Sequence, residues 1–109
     1  MRSEPIVVFI TAPTREEAAR LADLLVGARL AACVQILPEM ESIYRWEGKL
    51  ERQAEFLMLV KSTRDKFDQL EREVRAIHSY ETPEILAVSA SEISGPYSKW
   101  LAESLQHSN

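Results

Sequence analysis

The sequence predicts an α+β fold, on two observations. Short apolar, β-branched runs alternate with stretches whose apolar residues recur every three or four positions, and their order is strand, helix, strand, strand, helix, strand. A short further helix closes the chain. The 109 residues suit a single domain over residues 1–109 with one core between two layers. At 46% hydrophobic and 28% charged, the composition is that of a globular chain.

The first strand is Ile6 to Thr11, IVVFIT, an uninterrupted apolar run suited to a strand covered on both faces. Pro13 breaks it. Thr14 and Glu17 have capping-box spacing, so Thr14 is expected to accept from an exposed amide and Glu17 to reach back to the cap amide. Ala18, Leu21, Ala22 and Leu25 succeed them at helical spacing, and Gly27 is placed to end the helix. The second strand is read as Leu30 to Leu37, with Pro38 interrupting or bending the chain beyond it. Ser42 to Glu47 and Glu55 to Ser62 then read as the arms of a long hairpin turning at Gly48-Lys49.

Ser62 or Thr63 is positioned to cap a second helix, in which Phe67, Leu70, Val74 and Ile77 form one stripe and Glu71 stands four before Arg75. Pro83 requires that helix to stop before Thr82. Ile85 to Ser91 is the last strand, and Pro96 opens the terminal helix carrying Tyr97, Trp100, Leu101 and Leu105. This order is the ferredoxin-like βαββαβ arrangement, with a long hairpin between its second and third strands and helices on one face.

Lys and Arg total 13 against 17 Asp and Glu, a formal charge of -4, with the basic residues scattered. Nucleic acid is excluded as an expected partner, because phosphate binding wants a basic face. No apolar run approaches the ~18 residues of a membrane span, and the N-terminus leads into a strand without a signal-peptide core. A cytoplasmic location is the expectation. Cys33 is the only cysteine, which rules out an intrachain disulfide and a multi-cysteine zinc site within one chain.

The segment HSYETPEI gathers the most suggestive side chains. His78, Glu81 and Glu84 recur at steps of three, but Pro83 prevents them from sharing one helical face. An exposed loop presenting imidazole and carboxylates would suit zinc, copper or nickel. The plainer alternative is a helix exit in which His78 meets the last carbonyls, Tyr80 packs and the glutamates face solvent. Cys33 is either a small buried strand residue or a soft copper ligand. Tyr44 and Trp46 share one face of the hairpin, suiting an oligomer interface first and ligand stacking second. Lys61 ends an apolar strand as a snorkelling lysine or an anion-binding charge. No nucleophile and base are paired by spacing, with only His78 and His107 as imidazoles, so an enzyme is not expected.

In sequence order LAACVQILP, SIYRWEGKLE, the strand ending in Lys61, and HSYETPEI resemble the bacterial divalent-cation tolerance proteins, the CutA family. The likeness runs over essentially the whole chain, from TAPTREEA to YSKWL. It implies a tight homotrimer of ferredoxin-like protomers, architecturally similar to PII-type signalling proteins, and a link to copper and other divalent cations. Carried over by position, the family's cysteine falls on Cys33, its histidine-tyrosine-glutamate loop on His78, Tyr80 and Glu81 with Glu84 beyond the proline, its hairpin motif on Tyr44, Trp46, Glu47 and Gly48, and its strand lysine on Lys61. The chain departs from the family pattern at Ser79, usually proline, and at Gln35, usually asparagine.

The resemblance implies a divalent metal, Cu(II) first, held by His78, Glu81, Glu84 and Cys33. The alternative it raises is a PII-like sensor that binds a small molecule or anion in an intersubunit cleft through Lys61, Tyr44, Trp46 and Tyr80.

Overall fold

The computed structural model describes residues 3–106. Its strands are β1 (Pro5–Ala12), β2 (Cys33–Ile36), β3 (Met40–Trp46), β4 (Lys49–Thr63) and β5 (Ile85–Ser89); its α-helices are α1 (Arg15–Gly27), α2 (Phe67–Ile77) and α3 (Gly95–Ser104), with a 3-10 turn at Arg64–Lys66 before α2. The sheet is antiparallel in the order β2-β4-β1-β5, and β3 continues beyond β2 as a second partner of β4. This is the ferredoxin-like arrangement expected from the sequence.

The pleat decides where the core lies. Ile6, Val8, Ile10 and Ala12 on β1, with Met58 and Val60 on β4, point to one face, where they meet Ala18, Leu21 and Leu25 of α1 and Leu70 and Val74 of α2. All are buried, and each large side chain among them contributes about 1.5–3 kcal/mol through transfer from water. On the opposite face the β5 side chains Leu86 and Val88 remain 55% and 45% exposed.

Several boundaries differ from expectation for identifiable reasons. β2 is only Cys33–Ile36, because Leu30 and Ala31 direct their amides to the Leu25 carbonyl and so close the end of α1. The left-handed residue there is Arg29, at φ 62°, rather than Gly27. Its guanidinium donates to the Ser104 carbonyl at 3.0 Å and fastens the end of α3.

β4 starts at Lys49, which lengthens the hairpin and moves its turn to Glu47-Gly48, with φ of 51° and 81°. Trp46 then pairs directly with Lys49, as a two-residue turn of primed type requires. Neither Ser62 nor Thr63 caps α2: the buried Ser62 hydroxyl donates to the Leu30 carbonyl at 2.6 Å, and that of Thr63 to Asp65 Oδ1 at 2.6 Å. Thr14 does accept from the Glu17 amide, at 3.1 Å.

This geometry can be tested at two positions. Ser62→Ala leaves the Leu30 carbonyl without its donor and should cost about 1–3 kcal/mol in urea unfolding. Glu47→Asn supplies a residue suited to positive φ before Gly48 and should raise stability by about 0.5 kcal/mol in the same assay.

Candidate functional site

Where β4 leaves the sheet and enters the hairpin, the loop after α2 folds back over it. Glu55 stands at this junction, with Phe56 already paired to β1 and Glu55 itself paired only to Met40 of β3. The result is a cleft of about 820 Å³. Thr11 and Glu55 form its inner wall, Ser42, Tyr44, Trp46 and Gln53 the hairpin wall, and Tyr80, Glu81 and Glu84 the loop wall.

Electrostatically the cleft is one-sided. Among the described residues its lining carries the carboxylates of Glu55, Glu81 and Glu84 and no lysine or arginine. Glu55 is only 6% exposed, and the Tyr80 hydroxyl donates to its Oε2 at 2.8 Å. Burial, and then the bond to the Glu55 carboxylate, push the Tyr80 phenol well above the usual tyrosine range. Burial and the charge on Glu55 likewise raise Glu84 above an ordinary carboxylate. The hairpin wall is fixed by the Tyr44 hydroxyl, which donates to Gln53 Oε1 at 2.7 Å.

The residues expected from the sequence separate into three places. Tyr44, Trp46, Tyr80, Glu81 and Glu84 come together in the cleft. Cys33 and Lys61 do not join them: they face each other across β2 and β4, and Lys61 donates to Gln35 Oε1 at 2.8 Å. Lys61 stands six positions along the extended strand from Glu55, a distance of about 20 Å. Within one chain Lys61 therefore lies outside the aromatic cleft, and of the expected ligands His78, Glu81, Glu84 and Cys33 the cysteine is not brought to it.

His78, the leading ligand expected from the sequence, is corrected to an internal role. It is 8% exposed, its Nε2 lies 2.8 Å from the Thr11 carbonyl, and its Nδ1 accepts the Tyr80 amide at 3.0 Å. Both ring nitrogens are therefore occupied. Among the described residues, no three His, Cys, Asp or Glu side chains of one chain are grouped to enclose a metal ion. His107 lies outside the described residues.

Sequence reasoning missed Glu55 and Glu17. Glu55 showed only as a charge leading an apolar run. Glu17 is buried, and instead of reaching back to its own cap it accepts the Ser79 amide on Oε2 at 2.8 Å.

Comparison with known proteins gives this arrangement its family. Residues 6–104 match the family described as CutA1 divalent ion tolerance protein. The chain belongs to that family. It is 46% identical over 97 residues to the divalent-cation tolerance protein CutA of Thermus thermophilus, covering 89% of this chain and 94% of the relative. It is 39% identical over 102 residues to the chloroplastic CutA of Arabidopsis thaliana, covering 94% of this chain and 56% of that longer protein. Among solved structures, the CutA of Archaeoglobus fulgidus superposes with a TM-score of 0.91 at 40% identity, over 94% of this chain and 99% of that one. The archaeal protein is described as periplasmic and the plant relative as chloroplastic, which overturns the cytoplasmic expectation: CutA membership carries no such location.

The carboxylate cluster leads to two expected outcomes. Tyr80→Phe removes the donor to a buried carboxylate and should cost about 1.5–3 kcal/mol in urea unfolding. Because the folded state holds the Glu84 proton more tightly than the unfolded chain does, Glu84 contributes stability below about pH 4.5 that is lost as pH rises through its folded value. Denaturation across that window should show this loss in the parent and not in Glu84→Gln.

Proposed function

We propose that the protein is a homotrimeric binding protein, not an enzyme, that engages a divalent cation at the cleft between the hairpin and the loop after α2. The observation that carries this reading is the cleft's lining, with three carboxylates and, among the described residues, no basic side chain. Glu55 and Glu84 are close enough for one to raise the other's proton affinity, and a cation relieves the same repulsion as that proton. Glu81 adds a third carboxylate to the lining. Within one chain the three are not grouped to enclose an ion, so Glu55 and Glu84 would supply oxygen donors that partner copies complete, and the Irving–Williams order ranks Cu(II) first among the first-row divalent ions for such a set.

Exposed apolar surface supports the same reading. Leu86 and Val88 on β5 and Ile43, Tyr44, Trp46 and Leu50 on the hairpin are exposed on one chain. Packing against two further copies would cover them and bring additional donors to each cleft. The PII-like alternative, an anion or small-molecule sensor, has the aromatic wall but finds no cation for it within one chain, where Lys61 is bonded to Gln35 far along β4. The acidic lining disfavours an anion there.

Calorimetry with Cu(II) tests the site. Glu84→Gln should weaken binding by tenfold or more, about 1.4 kcal/mol, and binding to the parent should release protons in the pH range where Glu84 is still protonated. Unchanged affinity in both Glu84→Gln and Glu55→Gln removes the cleft from consideration. Light scattering should give about three times the 12.4 kDa chain mass; a monomer at micromolar concentration contradicts the assembly.

A further inference from the structure

We propose that His78 is a positioning residue, which through its Nδ1 acceptor fixes the Tyr80 main chain and so sets the Tyr80 hydroxyl on Glu55. The tautomer is dictated by the partners. A carbonyl oxygen only accepts, so Nε2, at 2.8 Å from the Thr11 carbonyl, carries the ring proton. Nδ1 is then a lone pair, and the Tyr80 amide donates to it at 3.0 Å.

Glu17 works in parallel. Its Oε2 accepts the preceding amide, that of Ser79, at 2.8 Å and lies 3.3 Å from Nδ1. Two consecutive amides leaving α2 are thus received by two buried side chains, one from α1 and one from the loop itself. Backbone that would otherwise turn freely into solvent is held against β1.

The direction of the chain past His78 decides what enters the cleft. His78 is extended, at φ -68° and ψ 142°, which ends α2 and turns the next residues back over the sheet. The His78 and Tyr80 rings lie 5.0 Å apart at 47°, so the imidazole supports the phenol ring as well as its amide. Tyr80 then spans from the loop to β4 and reaches the Glu55 carboxylate at 2.8 Å. The inference deepens the cation-cleft reading, on which its functional importance rests, but the geometry it concerns exists without any cation.

Two isosteres separate the two ring bonds. Asparagine places its Oδ1 where Nδ1 stands and keeps the acceptor for Tyr80; glutamine places its amide nitrogen near Nε2 and keeps only the bond to Thr11. Double-mutant cycles in urea unfolding, each variant with and without Tyr80→Phe, should show Tyr80→Phe costing as much in His78→Asn as in the parent. In His78→Gln the loss on Tyr80→Phe should fall severalfold, because the hydroxyl is no longer held on Glu55. Equal behaviour of the two variants, or the reverse order, overturns the proposal.

Should either variant fail to fold, long-range proton–nitrogen NMR of the parent imidazole decides. An Nε2–H tautomer, unchanged on adding Zn(II), is the expected result. An Nδ1 proton, whether in the other tautomer or in an imidazolium paired with Glu17 at 3.3 Å, or a zinc-induced coordination shift at either nitrogen, overturns the assignment. Since neither the unfolding cycle nor the tautomer requires a bound metal, failure of Cu(II) to bind would count against the cation reading alone.

Discussion

The fold depends on one continuous hydrogen-bonding ladder, that of the 15-residue β4. Its C-terminal part is sandwiched between β1 and β2, and its N-terminal part pairs with β3 alone. One strand is therefore the centre of a packed sheet over half its length and the arm of a free hairpin over the rest. The core residues Met58 and Val60 belong to the C-terminal half, and the cleft residue Glu55 marks the change. A carboxylate that far from bulk water is tolerated there because the sheet stops beside it and Tyr80 donates to it.

The second constraint is the return of the chain after α2. A helix ending against a sheet must find acceptors and donors for its last turn, and here the solution uses side chains from distant segments. Thr11 on β1, Glu17 on α1 and His78 at the end of α2 meet in one buried knot. That knot aims the acidic loop at the hairpin, and the position of every loop-wall residue derives from it. Polar groups in a small core are costly when partnerless, and no buried side-chain nitrogen or oxygen among the described residues lacks a partner.

Much of this was legible from residue order. The apolar periodicities located all three α-helices and the strand sequence, the Thr14 cap formed as its spacing implied, and Pro83 kept the acidic residues off a common helix. What escaped was anything set by long-range pairing. Hairpin register depended on whether Glu47 would accept positive φ, a choice local propensity disfavours and the two-residue turn imposes. The fate of His78 was hidden because its partners lie 67 and 61 positions upstream, at Thr11 and Glu17. Glu55 was similarly masked, since burial of a single charge in an apolar strand shows only when the covering loop is in place.

The divided character of β4 also sets how the molecule can come apart. Between Met40 and Glu55 the arm's ladder is a two-stranded ribbon, whereas from Phe56 onward the same strand has β1 as a partner and much of the core beneath it. The arm can therefore fray and re-form while the sheet stays intact, so its amides exchange with solvent through small local openings and those beyond Phe56 through near-global ones. Glu55 is the hinge at which fraying stops, placing the acidic cleft on the border between a yielding element and a stiff one.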